Sequence, residues 1–338
     1  MNNNIRVGLI RCDTHGLWFA AMMAEHDPLL LQRPTEFDKN QAYSWQGGGV
    51  HRFFYTNYGD PTLMTAPFVG GFLITRLWDQ HREAAEQARA VLLDVPVICD
   101  SPDECSDDVD LVLIADCNLD GADHLELAMP GLKKGVATFV DKPFASTAAQ
   151  CRTLVDAAAQ NGAPIFSATI LRFEPAVAAF RDRTQSIGEI NYANITGAGS
   201  GPEGLIHSIG LTQHLFGAGI STVQVLASPK QTAVWLDYDQ NPNAPQHGVM
   251  IHTQTGTRRF PSALGASVIG TRDDIHTLIP GGYAYPWGTA EIIKVIKQML
   301  ESRQSPPELN DMIEAIAVIE AVGQSTPTGQ PVRVSDFL

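Results

Sequence analysis

The chain has 338 residues, of which 44% are hydrophobic, and a formal net charge of −14. The length suggests about two domains with ample core, and the composition is that of a soluble globular protein. The acidic residues are dispersed, which argues against nucleic acid or an anionic membrane surface as partner, and no apolar run is long enough to cross a bilayer.

The first apolar run, residues 5–10, reads as a strand, followed by a turn through Asp13, Thr14, His15 and Gly16. Helical spacing is expected over 17–26. Strands are expected at 72–78, 97–99, 111–115 and 137–140, with helices over 80–93 and 124–134 between them. Repeated strand–helix units imply a parallel, doubly wound sheet. A helix over 147–161 and a strand at 164–168 close this part. Beyond about residue 185 the rhythm changes to strand candidates at 192–196, 223–227, 232–237, 249–253 and 275–278, with few helices between. That pattern suggests an antiparallel sheet with one solvated face. Two helices, 289–302 and 311–324, end the chain. The expected fold class is therefore α/β, a Rossmann domain over 1–145 and an α+β domain over 146–338 around an open, mostly antiparallel sheet.

Residues 32–70 do not fit the rhythm. A tight α/β connection needs only a few residues, whereas this one is long and carries Trp45, Phe53, Phe54, Tyr55, Tyr58 and Phe68. It reads as a lid, as an arm to a second subunit, or as a cover packed on its own domain.

Ligands of open α/β sheets bind at the carboxyl ends of the strands. Gly8 lies on the first strand, and the turn after it runs Arg11, Cys12, Asp13, Thr14, His15, Gly16. A helix amino end offers unpaired N–H groups and positive partial charge to a pyrophosphate. Of the usual glycine fingerprint only Gly16, the helix-packing glycine, is present. Arg11 is suited to pair with a phosphate. Asp13 would repel one unless it caps the helix. Asp79 ends the second strand, where an acid holds a ribose diol and favours NAD; Arg82 close by would instead accept the 2′-phosphate of NADP. Asp116 and Asn118 end the fourth strand and His124 opens the following helix; alternatively Asp79 and His124 serve only as helix caps. Lys142 follows the fifth strand, and Pro143 forces it out of the helical region. Glu203 and His207 are four apart and share one face of a helical turn. A histidine exchanges protons near neutrality, and a carboxylate beside it would fix its tautomer. The five cysteines, Cys12, Cys99, Cys105, Cys117 and Cys151, are odd in number and lack metal spacing. They read as reduced thiols of a cytoplasmic protein, and no metal is expected.

Several of these residues together resemble the glucose–fructose oxidoreductase / inositol dehydrogenase (Gfo/Idh/MocA) family. Asp141-Lys142-Pro143 is similar to its Glu/Asp-Lys-Pro motif, and Leu171-Arg172-Phe173-Glu174-Pro175 to its Arg-Phe-x-Pro segment. Residues 124–135, 207–217 and the tail at 315–332 also resemble the family's corresponding segments. The resemblance implies NAD(P)-dependent redox chemistry on a sugar, polyol or related carbinol, with Lys142 and His207 catalytic and Glu203 beside them. It also implies a homodimer or homotetramer. Two departures stand out: the degraded glycine loop, and Gly210, where the family commonly has an aspartate three residues after the histidine. The competing expectation is a ligand-binding or regulatory protein on the same scaffold.

Overall fold

A computed structural model describes residues 4–32, 41–117, 120–197, 199–239, 241–254, 264–278 and 283–338. The chain divides into two units. The first comprises Met1–Asp141, Thr153–Ser167 and Thr289–Pro306, and the second Lys142–Arg152, Ala168–Gly288 and Pro307–Leu338.

The first unit is built on β1 (Ile5–Ile10), β2 (Phe72–Trp78), β3 (Val97–Ile98), β4 (Leu111–Ile114), β5 (Ala137–Val140) and β6 (Ile165–Ser167), in the order β3-β2-β1-β4-β5-β6. Every neighbouring pair is parallel. The expected doubly wound sheet is thus present. β4 and β5 are buried at every position, as strands with both faces covered must be. The strand order reverses at β1/β4, the topological switch where such folds bind ligands. Register sets the site: Ile10 pairs with both Trp78 and Ile114, and Ile114 with Val140. The residues that follow, Arg11, Asp79, Ala115 and Asp141, therefore emerge along one carboxyl edge. Helix α1 (Thr14–Met23) leaves β1, and is followed by the short α2 (Pro28–Gln32) and α3 (His51–Phe54). Helices α4 (Arg82–Val91) and α5 (His124–Lys133) connect the later strands, and α6 (Ala148–Asn161) precedes β6.

The described part of the 32–70 segment covers its own unit. Phe53 and Phe54 pack on Trp18 of α1, with ring centroids 5.5 and 4.6 Å away. Trp45 and Phe54 are among the largest fully buried side chains, whereas Tyr58 and Phe68 are exposed. Residues 33–40 lie outside the described residues.

The second unit holds α7 (Pro175–Thr184), β7 (Ile190–Thr196), α8 (Pro202–Phe216), β8 (Ile220–Ala227), β9 (Gln231–Tyr238), β10 (Val249–Gln254), β11 (Gly265–Gly270) and β12 (Asp274–Leu278). The chain ends through α9 (Tyr285–Ser302), α10 (Glu308–Ser325) and β13 (Val332–Arg333). The sheet order is β12-β11-β7-β10-β9-β8-β13. It is antiparallel except that β7 and β10 run parallel. Three elements, α8, β8 and β9, separate that pair in sequence, enough chain for the crossover a parallel pair requires. Among the described residues, no helix is long and apolar enough to cross a membrane.

Gly8 has a packing reason to be glycine. A Cβ there would stand 1.8 Å from the Cys105 carbonyl oxygen, because the 3-10 turn Glu104–Ser106 presses against β1. Gly8→Ala should cost at least about 2 kcal/mol by chemical denaturation, in the range of forced overpacking. An unchanged midpoint would refute that close approach.

Candidate active site

The first turn is occupied by the chain's own groups. Arg11 sits at φ 77°, in the left-handed region that favours glycine. Its guanidinium is ion-paired with Asp123, lies 3.6 Å from an Asp116 oxygen and stacks over the Trp78 ring at 5.4 Å. Its charge is thereby matched within the protein.

Asp13 faces inward and caps α1. One carboxylate oxygen accepts from His15 N–H at 2.9 Å and Gly16 N–H at 3.2 Å; the other accepts from Cys117 N–H at 2.6 Å. Burial pushes its pKa up to about 7 against the lowering by His15, with Asp116 also raising it and the N–H bonds from Cys117 and Gly16 pulling it down. The amide groups that would meet a phosphate are therefore held by a side chain of the turn. Gly16 keeps α1 close to the sheet: a Cβ would lie 2.2 Å from the Arg11 carbonyl oxygen.

Asp79 is equally engaged. It accepts from Cys12 N–H at 2.7 Å, His81 N–H at 2.7 Å and the Tyr43 hydroxyl at 2.8 Å. Burial first, then the charge of Asp79, hold the Tyr43 phenol far above its ordinary pKa, so it is the donor. Beside it, Trp45 donates its indole N–H to the Cys12 carbonyl at 2.9 Å and its backbone N–H to the Thr14 hydroxyl at 3.2 Å. The Ser44 and Thr14 hydroxyls are 3.1 Å apart. Sequence reasoning missed Tyr43 and Trp45 as neighbours of the turn, because nothing in their spacing reports a contact across thirty residues.

Along the same edge, His15 Nδ1 lies 2.6 Å from Asp141, tying the first turn to the residue before Lys142. His124 is fully buried, with Nε2 3.0 Å from Asp116. Burial works to lower its pKa, but the Asp116 hydrogen bond and charge outweigh it and the value is raised. Asp116, Asp123 and His124 bring one potential ligand atom each within 4.8 Å of one another, yet Arg11 already lies on both acids. Asn118 lies outside the described residues.

In the second unit, Lys142 is 7% exposed and its bond to Pro143 is cis. His207 stands within α8, and Glu203 in its first turn. His207 Nδ1 is 2.5 Å from the hydroxyl of Thr169, itself 2% exposed. The Glu203 carboxylate folds back over Gly201, its oxygens 2.3 and 2.8 Å from where a Cβ of that glycine would be. Gly210 explains the Thr169 contact. A Cβ at 210 would stand 2.3 Å from Thr169 Cγ2, so the bare glycine leaves the room that Thr169 fills. Thr169 was not legible as a site residue, since its only sequence signal was the loss of an acid at 210.

Residues 49–169 match the sequence model of the Gfo/Idh/MocA family, described as an oxidoreductase family with an NAD-binding Rossmann fold. That stretch takes in β2 to β6, and over it the chain is similar to these oxidoreductases. The match agrees with the expectation of an NAD(P)-dependent oxidoreductase. No curated protein sequence matches the chain. Solved structures share its fold. An oxidoreductase from Agrobacterium radiobacter, in complex with NAD+, L-tartaric acid and magnesium, is 14% identical with TM-score 0.69, over 99% of this chain and 100% of that one. The myo-inositol 2-dehydrogenase of Lactobacillus plantarum is 12% identical, with TM-score 0.72, over 98% and 99%. The myo-inositol dehydrogenase of Lactobacillus casei, in complex with NAD(H) and myo-inositol, is 14% identical, with TM-score 0.69, over 98% and 96%.

The Tyr43–Asp79 hydrogen bond tests whether the residues fit the family's cofactor. It shows that the carboxylate at the end of β2 accepts an O–H donor. A ribose hydroxyl offers the same chemistry. Asp79 thus fits the ribose, with Tyr43 at present on its oxygen.

Glu174 supplies a pH handle on the second unit. It is 1% exposed, its Oε1 has no hydrogen-bond partner among the described residues, and burial lifts its pKa to about 7. A folded pKa above the unfolded one means stability fully present below the unfolded value and lost as pH rises through 7. Glu174→Gln should flatten that fall, worth on the order of 3 kcal/mol between pH 4.5 and 7. Urea midpoints of both proteins across this window read it; parallel curves would show that Glu174 is not buried as an acid.

Proposed function

We propose that the protein moves hydride between NAD and the carbinol carbon of a sugar, polyol or related compound, with Lys142 and His207 as the acid–base pair. The observation that carries this reading is the His207 ring, held at Nδ1 by a buried hydroxyl, in a chain whose residues 49–169 match the model of an NAD-binding oxidoreductase family. The nicotinamide, when bound, supplies the hydride acceptor or donor. Asp79 would hold its ribose, with NAD favoured over NADP because a carboxylate repels a 2′-phosphate.

His207 takes the substrate hydroxyl proton during oxidation and returns it during reduction. Thr169 fixes the orientation of the imidazole. The Lys142 amino group polarises the same hydroxyl and stabilises the developing alkoxide. Glu203, one helical turn before His207, shares a face of α8 with it. We place the protein in the cytoplasm as a homo-oligomer; its five free cysteines, four of them buried, accord with a reducing compartment. The non-catalytic reading draws support from one observation, the self-engaged first turn. Titration with NADH separates the two readings.

Once a substrate is found by screening sugars and polyols for NADH formation, Lys142→Ala and His207→Ala should each lower kcat about a hundredfold to ten-thousandfold. NADH affinity should change little. Full activity of the His207→Ala protein would refute the assignment. Thr169→Val should lower kcat less, on the order of tenfold, and shift the acid limb of the pH–rate profile, because the ring loses its Nδ1 partner but not its chemistry. An unmoved limb would make Thr169 merely structural.

A further inference from the structure

The fold places the Tyr43–Trp45 segment against the two features of the first unit that a dinucleotide would use: the Asp79 carboxylate and the turn after β1. Tyr43 is 5% and Trp45 2% exposed. The Tyr43 hydroxyl donates to Asp79, as a ribose hydroxyl would. Trp45 lies over the turn, its indole N–H on Cys12 and its backbone N–H on Thr14. The edge of the Tyr43 ring meets His81, with centroids 5.6 Å apart at 80°. These contacts come from a 3-10 segment, Gln41–Gly47, with a non-helical kink at Tyr43.

We propose that Tyr43 and Trp45 stand in for the adenosine end of the cofactor, and that NAD(H) binds by exchange. The Tyr43 hydroxyl leaves Asp79, the 41–47 segment moves off the turn, and a ribose hydroxyl takes its place on the same carboxylate. The inference rests on the reading of Asp79 as the ribose acceptor. Tyr43 is then an affinity-determining residue although it need not touch the bound cofactor. Apparent affinity is the intrinsic affinity reduced by the fraction of molecules in which the segment is open. Every contact that holds the segment down weakens NAD(H) binding. The engagement of Asp79 by Tyr43 is thus a closed state of a cofactor site.

Two measurements on the full chain test this. The first is titration of the wild type, Tyr43→Phe and Ser44→Ala with NADH, followed by nicotinamide fluorescence. Tyr43→Phe keeps the ring and removes only the hydroxyl on Asp79, so NADH should bind roughly tenfold more tightly, the weight of one charge-assisted hydrogen bond. Ser44→Ala, which removes the hydroxyl beside Thr14, should tighten binding less. The second is hydrogen exchange of the wild type with and without NADH. Amides of residues 41–47 should exchange faster in the complex, while those of β1 and α1 slow. Equal NADH affinity in all three proteins, or unchanged exchange at 41–47 on binding, overturns the exchange inference and leaves the cofactor reading standing. No NADH binding to any of them at millimolar concentration overturns the cofactor reading, and the inference with it.

Discussion

Two buried carboxylates organise the first unit. Asp13 and Asp79 collect six donors between them: the amides of His15, Gly16, Cys117, Cys12 and His81, and the hydroxyl of Tyr43. Buried N–H groups must find acceptors, and a glycine-rich turn leaves its amides for a phosphate. Here the chain provides the acceptors itself. The ends of β1, β2 and β4, the start of α1 and the aromatic segment before α3 are consequently joined through the oxygens of two side chains. Arg11, from the same turn, is paired with two other acids, Asp116 and Asp123.

The second unit shows a similar substitution of parts. An acid three residues after the histidine would sit at position 210, but that position admits no side chain beside Thr169. The threonine hydroxyl reaches Nδ1 from extended backbone between β6 and α7, outside the helix that carries His207. An imidazole needs one partner to fix its ring plane and tautomer. A neutral hydroxyl does this without the charge of a carboxylate.

Much of the fold could be read directly. The strands 5–10, 72–78 and 137–140 match their expected bounds to the residue, because apolar, β-branched runs bounded by turns report burial locally. Other elements left weaker marks. The strand Gly265–Gly270 has glycine at both ends and only two branched apolar residues, too little alternation to stand out. The parallel β7–β10 pair depends on which strands become neighbours after folding, and no local periodicity encodes that. The long aromatic segment was visible as an excess of chain, but the surface it covers was not.

By itself, the sequence determined the class of fold, the family resemblance and the residue types available for chemistry: Lys142 after a buried strand, His207 on a helix, Asp79 at a strand end. These follow from short-range patterns, since hydrophobic period and motif spacing are local properties. Only the tertiary structure decided which donors those acids and rings would meet. Tyr43 and Asp79 are joined by a hydrogen bond 36 residues apart in sequence, and Thr169 and His207 by one 38 residues apart. Such pairings are fixed by strand register and by the room left at single glycines, and neither is written in the spacing of the residues that use them.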